Sequence, residues 1–390
     1  MCMFILDNPF ISELLYSTVN KNSYPVLDTP LVSGKVSNPL NSCIASELLN
    51  KINNPKIYTN SENSINWILS NLTGTNLPDM ISLFKDKARF RELLKKIYPD
   101  FYFKKISYNE LDKLNADEFK YPIVIKPSVG FLSFGVYTVY EKKELDIVVN
   151  KIKSEMEKVK ETFPKEVLNS DNFIIEEFIK GDEYALDVYY DDNSNPVILN
   201  VFKHPFADKY DVSDRMYITS ASIIKENYSG FYDLLKKIGE VSNLKNFPMH
   251  IELRLDNDKI IPIEVNPLRF AGWCTTDLAY YAYNINVYEY FMNNKIPDWN
   301  KIYNNDPSSV YAFVMAEVPL DVNKNDIISF DIESFKKDTN AEILNVREFD
   351  YSTKPMFCVL FIKQNNFDSI RHILKLDVKK YIKLKQEYAI

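Results

Sequence analysis

At 390 residues the chain exceeds one small core and points to two or three domains, and its 46% hydrophobic and 14% aromatic content supplies a globular interior. A formal net charge of −7 gives no electrostatic case for nucleic acid or an anionic membrane as main partner. The four cysteines, Cys2, Cys43, Cys274 and Cys358, form no Cys-x-x-Cys pair, which argues against a zinc site and a disulfide framework and fits a reducing compartment. The apolar opening MCMFIL is too short for a signal-peptide core or a membrane span and reads as a strand, so a cytoplasmic protein is expected.

Residues 3–6 read as a buried strand, 9–20 as a helix with Phe10, Leu14, Leu15 and Val19 apolar, and 24–27 as a second strand. Ile57-Tyr58 offers a third, with a helical stretch near 62–70. This α/β unit lacks a G-x-G-x-x-G turn and is no dinucleotide site. Asn71 to Asp79 is turn-rich and reads as a linker. A helix at about 80–97 follows, carrying Ile81, Phe84, Ala88, Leu94 and Ile97 at helical spacing.

Residues 121–140 read as strand, small loop, strand. The first contains Lys126, whose ammonium can meet a phosphate as a compact charge. The loop brings Ser128, Gly130, Ser133 and Gly135, small enough for backbone N–H groups to approach an anion. A plain hairpin turn with a surface lysine fits the same residues. An amphipathic helix comes next, with Leu145, Val148, Ile152, Met156, Val159 and Phe163 stepping by three and four. The stretch 172–183, NFIIEEFIKGDE, is a buried strand that turns acidic. Leaving its sheet, it can offer backbone donors and acceptors to a flat heteroaromatic edge, and a carboxylate to ribose hydroxyls; solvated glutamates at a strand end are the plainer alternative. Residues 183–190 and 197–203 pair as a hairpin, followed by a strand near 217–224 and a helix at 230–245.

Residues 248–272, PMHIELRLDNDKIIPIEVNPLRFAG, alternate with period two on two arms. His250, Glu252 and Arg254 share one face of the first arm, and Glu264 and Asn266 share one face of the second. A three-residue loop at 257–259 would set Glu252 opposite Glu264 and His250 opposite Asn266, whereas a two-residue loop would put Glu252 across from Ile263. Like charges directly opposed destabilise a strand pair unless a cation sits between them. Two carboxylates and an amide oxygen suit Mg²⁺, which usually takes its other ligands from water and phosphate. An ordinary amphipathic hairpin with a wet face is the alternative. The final segment, about 308–390, has strands at 309–318, 341–349 and 356–363 and a helix near 366–376, and reads as a separate α+β lobe.

Lys87, IVIKPS, the small-residue loop, IIEEFIKGDE, and MHIEL followed by IEVNPLRFAG together resemble the ATP-grasp superfamily, in particular its carboxylate–amine ligase branch (D-alanine–D-alanine ligase, biotin carboxylase and L-amino-acid ligase). The resemblance covers about residues 80–295. It implies an α/β protein with the ATP-grasp fold: an N-terminal pre-ATP-grasp α/β domain at 1–78, an ATP-grasp domain at 79–305 with a lid at about 121–180, and a C-terminal α+β lobe at 306–390. It further implies that Lys87 and Lys126 contact the α- and β-phosphates of ATP. The loop 128–135, with Ser128, Gly130, Ser133 and Gly135, would fold over the β- and γ-phosphates. Glu176 and the backbones of Glu177 and Ile179 would read adenine, with Phe178 between them, and Glu183 would take the ribose.

Glu252, Glu264 and Asn266 would hold one or two Mg²⁺ ions, with Mn²⁺ as a substitute. Arg269 would stabilise the acyl-phosphate and tetrahedral intermediates, although Asn266-Pro267-Leu268-Arg269 carries one residue more than the family's usual Asn-x-Arg. Lys209, with Lys203 as its rival, would approach the γ-phosphate, and Arg254 or Arg215 could clamp a substrate carboxylate. The expected reaction joins a small-molecule carboxylate to an amine, less often a thiol, releasing ADP and phosphate. A kinase acting on a hydroxyl and a non-catalytic ATP-binding module are the alternatives. No nucleic acid or membrane partner is expected, and a homodimer is what the family implies. His250 reads as a hydrogen-bonded structural histidine, since Mg²⁺ prefers oxygen, and Cys274 as a buried apolar side chain.

Overall fold

The computed structural model describes residues 2–130, 135–159, 169–207 and 213–385. Phe163, Ser133 and Lys209 lie outside them. The N-terminal unit is a parallel sheet of β1 (Cys2–Ile5), β2 (Val26–Leu27), β3 (Pro39–Leu40) and β4 (Lys56–Thr59), in the order β3-β2-β1-β4. The short β3, and the helix Ser42–Leu49 after it, lie in a stretch with little apolar periodicity that the sequence reading passed over.

A second, antiparallel sheet contains β5 (Phe103–Ser107), β6 (Ile123–Val129), β7 (Tyr137–Val139) and β8 (Asn169–Glu177), in the order β5-β8-β6-β7. Its apolar face packs on the helix Leu145–Val159 through Leu145, Val149, Ile152 and Met156. The largest sheet has eight strands: β9 (Asp182–Tyr190), β10 (Pro196–His204), β11 (Met216–Ser220), β12 (Phe247–Asp256), β13 (Lys259–Pro267), β14 (Val310–Glu317), β16 (Glu342–Glu348) and β17 (Met356–Gln364). Their order is β13-β12-β9-β10-β11-β14-β17-β16. A small pair, β15 (Ile327–Phe330) and β18 (Ile382–Leu384), completes the described strands. The C-terminal segment, expected as a separate lobe, thus supplies three strands to this large sheet through the pairing of β11 with β14.

Alternation on β9 sorts the two faces of the large sheet. Tyr184, Leu186, Val188 and Tyr190 enter the main core with Phe231, Leu234, Leu235 and Ile238 of the helix Ala221–Ser242. Glu183, Ala185 and Asp187 point the other way. That helix is longer than expected at its start. Ser220 caps it, accepting from Ile223 N at 3.1 Å, so residues read as strand and loop before Gly230 are helical.

The helix expected over 80–97 is two helices, Leu77–Lys85 and Lys87–Leu94. Asp86 stands between them in extended conformation, and its carboxylate accepts from the N–H groups of Ala88 (2.9 Å) and Arg89 (3.3 Å). An aspartate satisfying these otherwise orphaned donors restarts the helix in a new direction. Lys87 therefore opens a helix instead of sitting mid-way along one.

Candidate active site

The hairpin β12–β13 reaches the expected pairing by an unexpected route. Asp256 pairs with Lys259 across a two-residue turn, with Asn257 left-handed at φ 54°. The ladder then runs Leu255–Ile260, Arg254–Ile261 and Leu253–Pro262. Continued unchanged, it would set Glu252 against Ile263. A β-bulge there absorbs one residue of β13, so Glu252 pairs with Glu264 and His250 with Asn266. The three-residue loop is thus corrected, while the opposition of the two carboxylates stands. Pro262 marks the bulge, since it brings no N–H to the ladder.

Across β12 the next strand presents Ala185 to Glu252, Asp187 to His250 and Glu183 to Arg254. The small Ala185 leaves space beside the carboxylates. Glu252 and Glu264 are 24% and 25% exposed, so neither is sealed in the core. Burial, and then the charges of Glu264, Glu183 and Asp214, push the Glu252 carboxyl well above the usual range. Burial also opposes charge on Glu264, but Lys87, 2.7 Å away, overrides it and holds that carboxyl low. Among the described residues the one ion-pair contact of Glu252 is His250 Nε2, at 3.8 Å.

Beside them lies a buried charge triad. Glu176, 2% exposed, bonds Arg91 Nε at 2.7 Å through one oxygen and Lys126 through the other. Burial favours a neutral Glu176, yet the two cations bring its carboxyl down to about 2. Lys126 is 4% exposed, and burial lowers its pKa. Ser128, 1% exposed, turns inward and donates to Asp86, tying the start of the 128–135 loop to the cap of the Lys87 helix. Gly135 is left-handed at φ 71°; Gly130 is partly exposed.

Glu177 N–H donates to Tyr102 O at 3.1 Å and Phe178 N–H to Pro122 O at 3.2 Å, so these donors are already committed. Ile179 O accepts from Arg254 Nη1 at 2.8 Å. Arg254 also forks onto Glu183 at 3.0 and 3.1 Å and lies over the Phe178 ring. Glu183 receives His204 Nδ1 at 3.1 Å as well. Arg254 thus serves the Glu183 corner, and Lys203 pairs with Asp182 at 2.5 Å. Arg215 binds Ser213 Oγ at 2.9 Å.

Arg269 follows a left-handed turn at Leu268, φ 62°. That added residue is fully buried. Its N–H donates to Pro248 O at 2.8 Å, and its carbonyl accepts from Thr59 N at 2.7 Å, which docks the N-terminal sheet onto the hairpin. Arg269 meets Glu62 of the N-terminal unit at 3.2 Å, and Lys85 takes the other Glu62 oxygen at 2.7 Å. Burial would raise Glu62, but the two cations bring it to about 2. Asp187, fully buried, holds His250 Nδ1 and Ala271 N–H, each at 2.8 Å. Cys274 is buried, and burial raises its thiol to about 11, leaving no thiolate for nucleophilic work near neutral pH.

Arg91, Asp187 and Glu62 were not singled out by the sequence reading. The alternation Glu183–Ala185–Asp187 carried a signal for the second; Arg91 and Glu62 depend on packing between distant segments.

Among the described residues no group of three or more His, Cys, Asp or Glu side chains gathers as a metal cluster. The converging donors are two carboxylates and the Asn266 amide, all oxygen. With one carboxyl pushed toward neutrality by burial and then by its neighbour's charge, this set fits a hard divalent cation that completes its shell with water and phosphate.

Residues 119–277 match the ATP-grasp domain family. It is similar to an alanine–anticapsin ligase of Bacillus subtilis, 24% identical over 179 residues that span 44% of this chain and 38% of that protein. A D-alanine–D-alanine ligase of Petrotoga mobilis is 24% identical over 162 residues, 40% of this chain and 49% of the relative. The matches to these curated relatives thus span less than half of their lengths. Over nearly the whole fold the chain resembles the solved L-amino acid ligase of Bacillus licheniformis, with a TM-score of 0.68 at 14% identity, covering 99% of this chain and 98% of that one. The ATP-grasp fold extends well beyond the matched domain. No helix among the described residues is long and apolar enough to cross a membrane.

Proposed function

We propose that the protein is an ATP-dependent carboxylate–amine ligase that works through an acyl phosphate and releases ADP and phosphate. The observation that carries this reading is the opposition of Glu252 and Glu264, flanked by Lys87 and Asn266 and backed by the Arg91–Glu176–Lys126 triad. The ATP-grasp domain and its ligase relatives support it.

In this reading Glu252, Glu264 and Asn266 hold one or two Mg²⁺ ions. Bound there, magnesium would supply positive charge against the transferring phosphoryl group. Lys87 leaves Glu264 for a phosphate as nucleotide enters, and Lys126 supplies a second buried cation. The segment 176–179 meets adenine with the Glu177 carbonyl and the Ile179 N–H, while Glu176 holds the strand against Arg91. Glu183, oriented by Arg254 and His204, accepts from ribose hydroxyls. The segment 128–135, of which 131–134 lie outside the described residues, would cover the phosphates and keep water from the acyl phosphate. Arg269, steadied by Glu62, stabilises the oxyanion when the amine attacks. The parts are 1–78 and 79–305, with the lid at about 121–180, and 306–390 continues the large sheet of the second; the protein is cytoplasmic in this reading, and its described cysteines are all free. A homodimer belongs to the same reading.

The test is trapping. Incubation with Mg-ATP, candidate amino acids or small carboxylates and hydroxylamine should yield ADP and a hydroxamate. A stable phosphorylated product would identify a kinase instead, and ATP retained intact across the whole panel would sink the ligase.

A further inference from the structure

The helix Lys87–Leu94 and the edge strand β13 are matched in pitch. Four residues of helix advance about 6 Å and two residues of strand about 6.6 Å, so helix positions four apart can meet strand positions two apart. Lys87 reaches Glu264 and, four residues on, Arg91 Nη1 donates to Pro262 O at 2.6 Å; beyond the helix and outside that spacing, Tyr98 donates to Ile260 O at 2.6 Å. As the last strand of its sheet, β13 has carbonyls on its outer side that lack a strand partner, and these side chains take two of them.

Pro262 adjoins the bulge that brings Glu264 opposite Glu252. Arg91 is 2% exposed, its ring contact is Phe101 at 4.6 Å, and its Nε simultaneously holds Glu176. One planar fork therefore joins the bulge in the carboxylate hairpin to the strand that leads to the nucleotide segment.

We infer that Arg91 is a positioning residue that caps the β13 bulge and thereby keeps Glu264 and Glu252 in register for a magnesium–nucleotide complex. This rests on the ATP reading above. Lysine in its place retains a charge for Glu176, but a single ammonium does not span Glu176 and Pro262 together.

Calorimetric titration of the folded full chain with ATP, once with magnesium and once in EDTA, tests it. For Arg91→Lys the affinity in EDTA should stay within about threefold of wild type, while the gain conferred by magnesium falls at least about tenfold, the size seen when an outer-shell partner is lost. Tyr98→Phe, which removes only the bond to Ile260, should keep the gain. Arg91→Gln, which loses the charge as well, should lose both the gain and much of the EDTA affinity, and supplies the test if the lysine variant fails to fold. An unchanged magnesium gain in the folded arginine variants overturns the inference, as does an equal fall with and without magnesium, which would mark a general loss of packing. A wild-type chain without any magnesium gain overturns the ATP reading itself and this inference with it.

Discussion

Glu252 and Glu264 face one another across the hairpin, yet their carboxyls are pushed in opposite directions: burial raises Glu252, and at Glu264 the touching Lys87 overrides the same burial. Replacing Glu264 by Gln should remove the repulsion that raises Glu252 and leave Lys87 without its carboxylate. Metal-dependent ATP binding should then fall by at least the roughly 10–100-fold that losing an outer-shell partner costs, while the EDTA affinity holds. Equal calorimetric curves for the variant and wild type would rule the pair out as a metal site. Arg269→Met should leave ATP binding intact and lower kcat by about 10²–10³-fold, the size of losing one oxyanion donor. Hydroxamate formation at the wild-type rate in that variant would remove Arg269 from the chemistry. Lys126 was expected at this scale from the small-residue loop beside it, and Lys87 from the family resemblance alone; the structure pairs them with Glu176 and Glu264. Glu62 was not expected, since its meaning comes from Arg269, which stands 207 positions further on.

Three elements decide where these groups stand: the cap at Asp86, the bulge at Ile263 and the turn at Gly181. Gly181 has φ +102°, and a Cβ there would lie 2.1 Å from the carbonyl oxygen of Leu255 at the end of β12. The link from residues 176–179 to Glu183 crosses the hairpin at this point, and only glycine fits. Gly181→Ala should therefore cost more than the ~1–3 kcal/mol of backbone strain alone. Gly34→Ala, also left-handed at φ +72° but with open space around it, should cost only about 1–2 kcal/mol. Urea unfolding of both variants checks this, and equal losses would mean that the close approach to Leu255 is unimportant.

On the C-terminal side Arg347 of β16 pairs with the fully buried Asp277 and donates to Cys274 O at 3.2 Å. It thereby supports Trp273 and Cys274, both left-handed at φ 54° and 56°. Arg347→Met should destabilise the fold by about 3–5 kcal/mol in the same assay, because it strands a buried charge.

Across the whole molecule two carboxylates, Glu176 buried and Glu62 partly so, act as fasteners between segments far apart in sequence. Glu62 joins the N-terminal unit to Arg269, and Glu176 joins β8 to the helix at Arg91. Each has a folded pKa of about 2 against an ordinary 4.5. A lowered carboxyl stabilises the folded state fully above the ordinary value, and that contribution drains away as pH falls from about 4.5 toward 2. Unfolding midpoints in urea should accordingly hold near neutrality and drop through this range. Glu176→Gln should lose about 3–5 kcal/mol at pH 7, with Arg91 and Lys126 left buried and unpaired, and should show a shallower acid limb. An acid limb as steep as that of wild type would show that Glu176 does not carry the effect.

Alternation of side chains along β12 and β13 was enough by itself to say which residues share a face, because the pleat admits only two. The order of short motifs, each weak alone, was enough to name the ATP-grasp domain. What lay beyond the sequence was every decision made by groups meeting from distant segments. A turn of two residues pointed to the wrong register, and the bulge beside Pro262, its carbonyl held by Arg91, restored the right one. The extra Leu268 looked like a displacement of Arg269, but it forms a buried left-handed turn that docks on Thr59. The C-terminal strands read as a lobe of their own, because strand periodicity records which face is buried and not which neighbour lies alongside. Local pattern is written in the covalent chain; register and partnership depend on hydrogen bonds and buried charges that exist only once the chain has closed on itself.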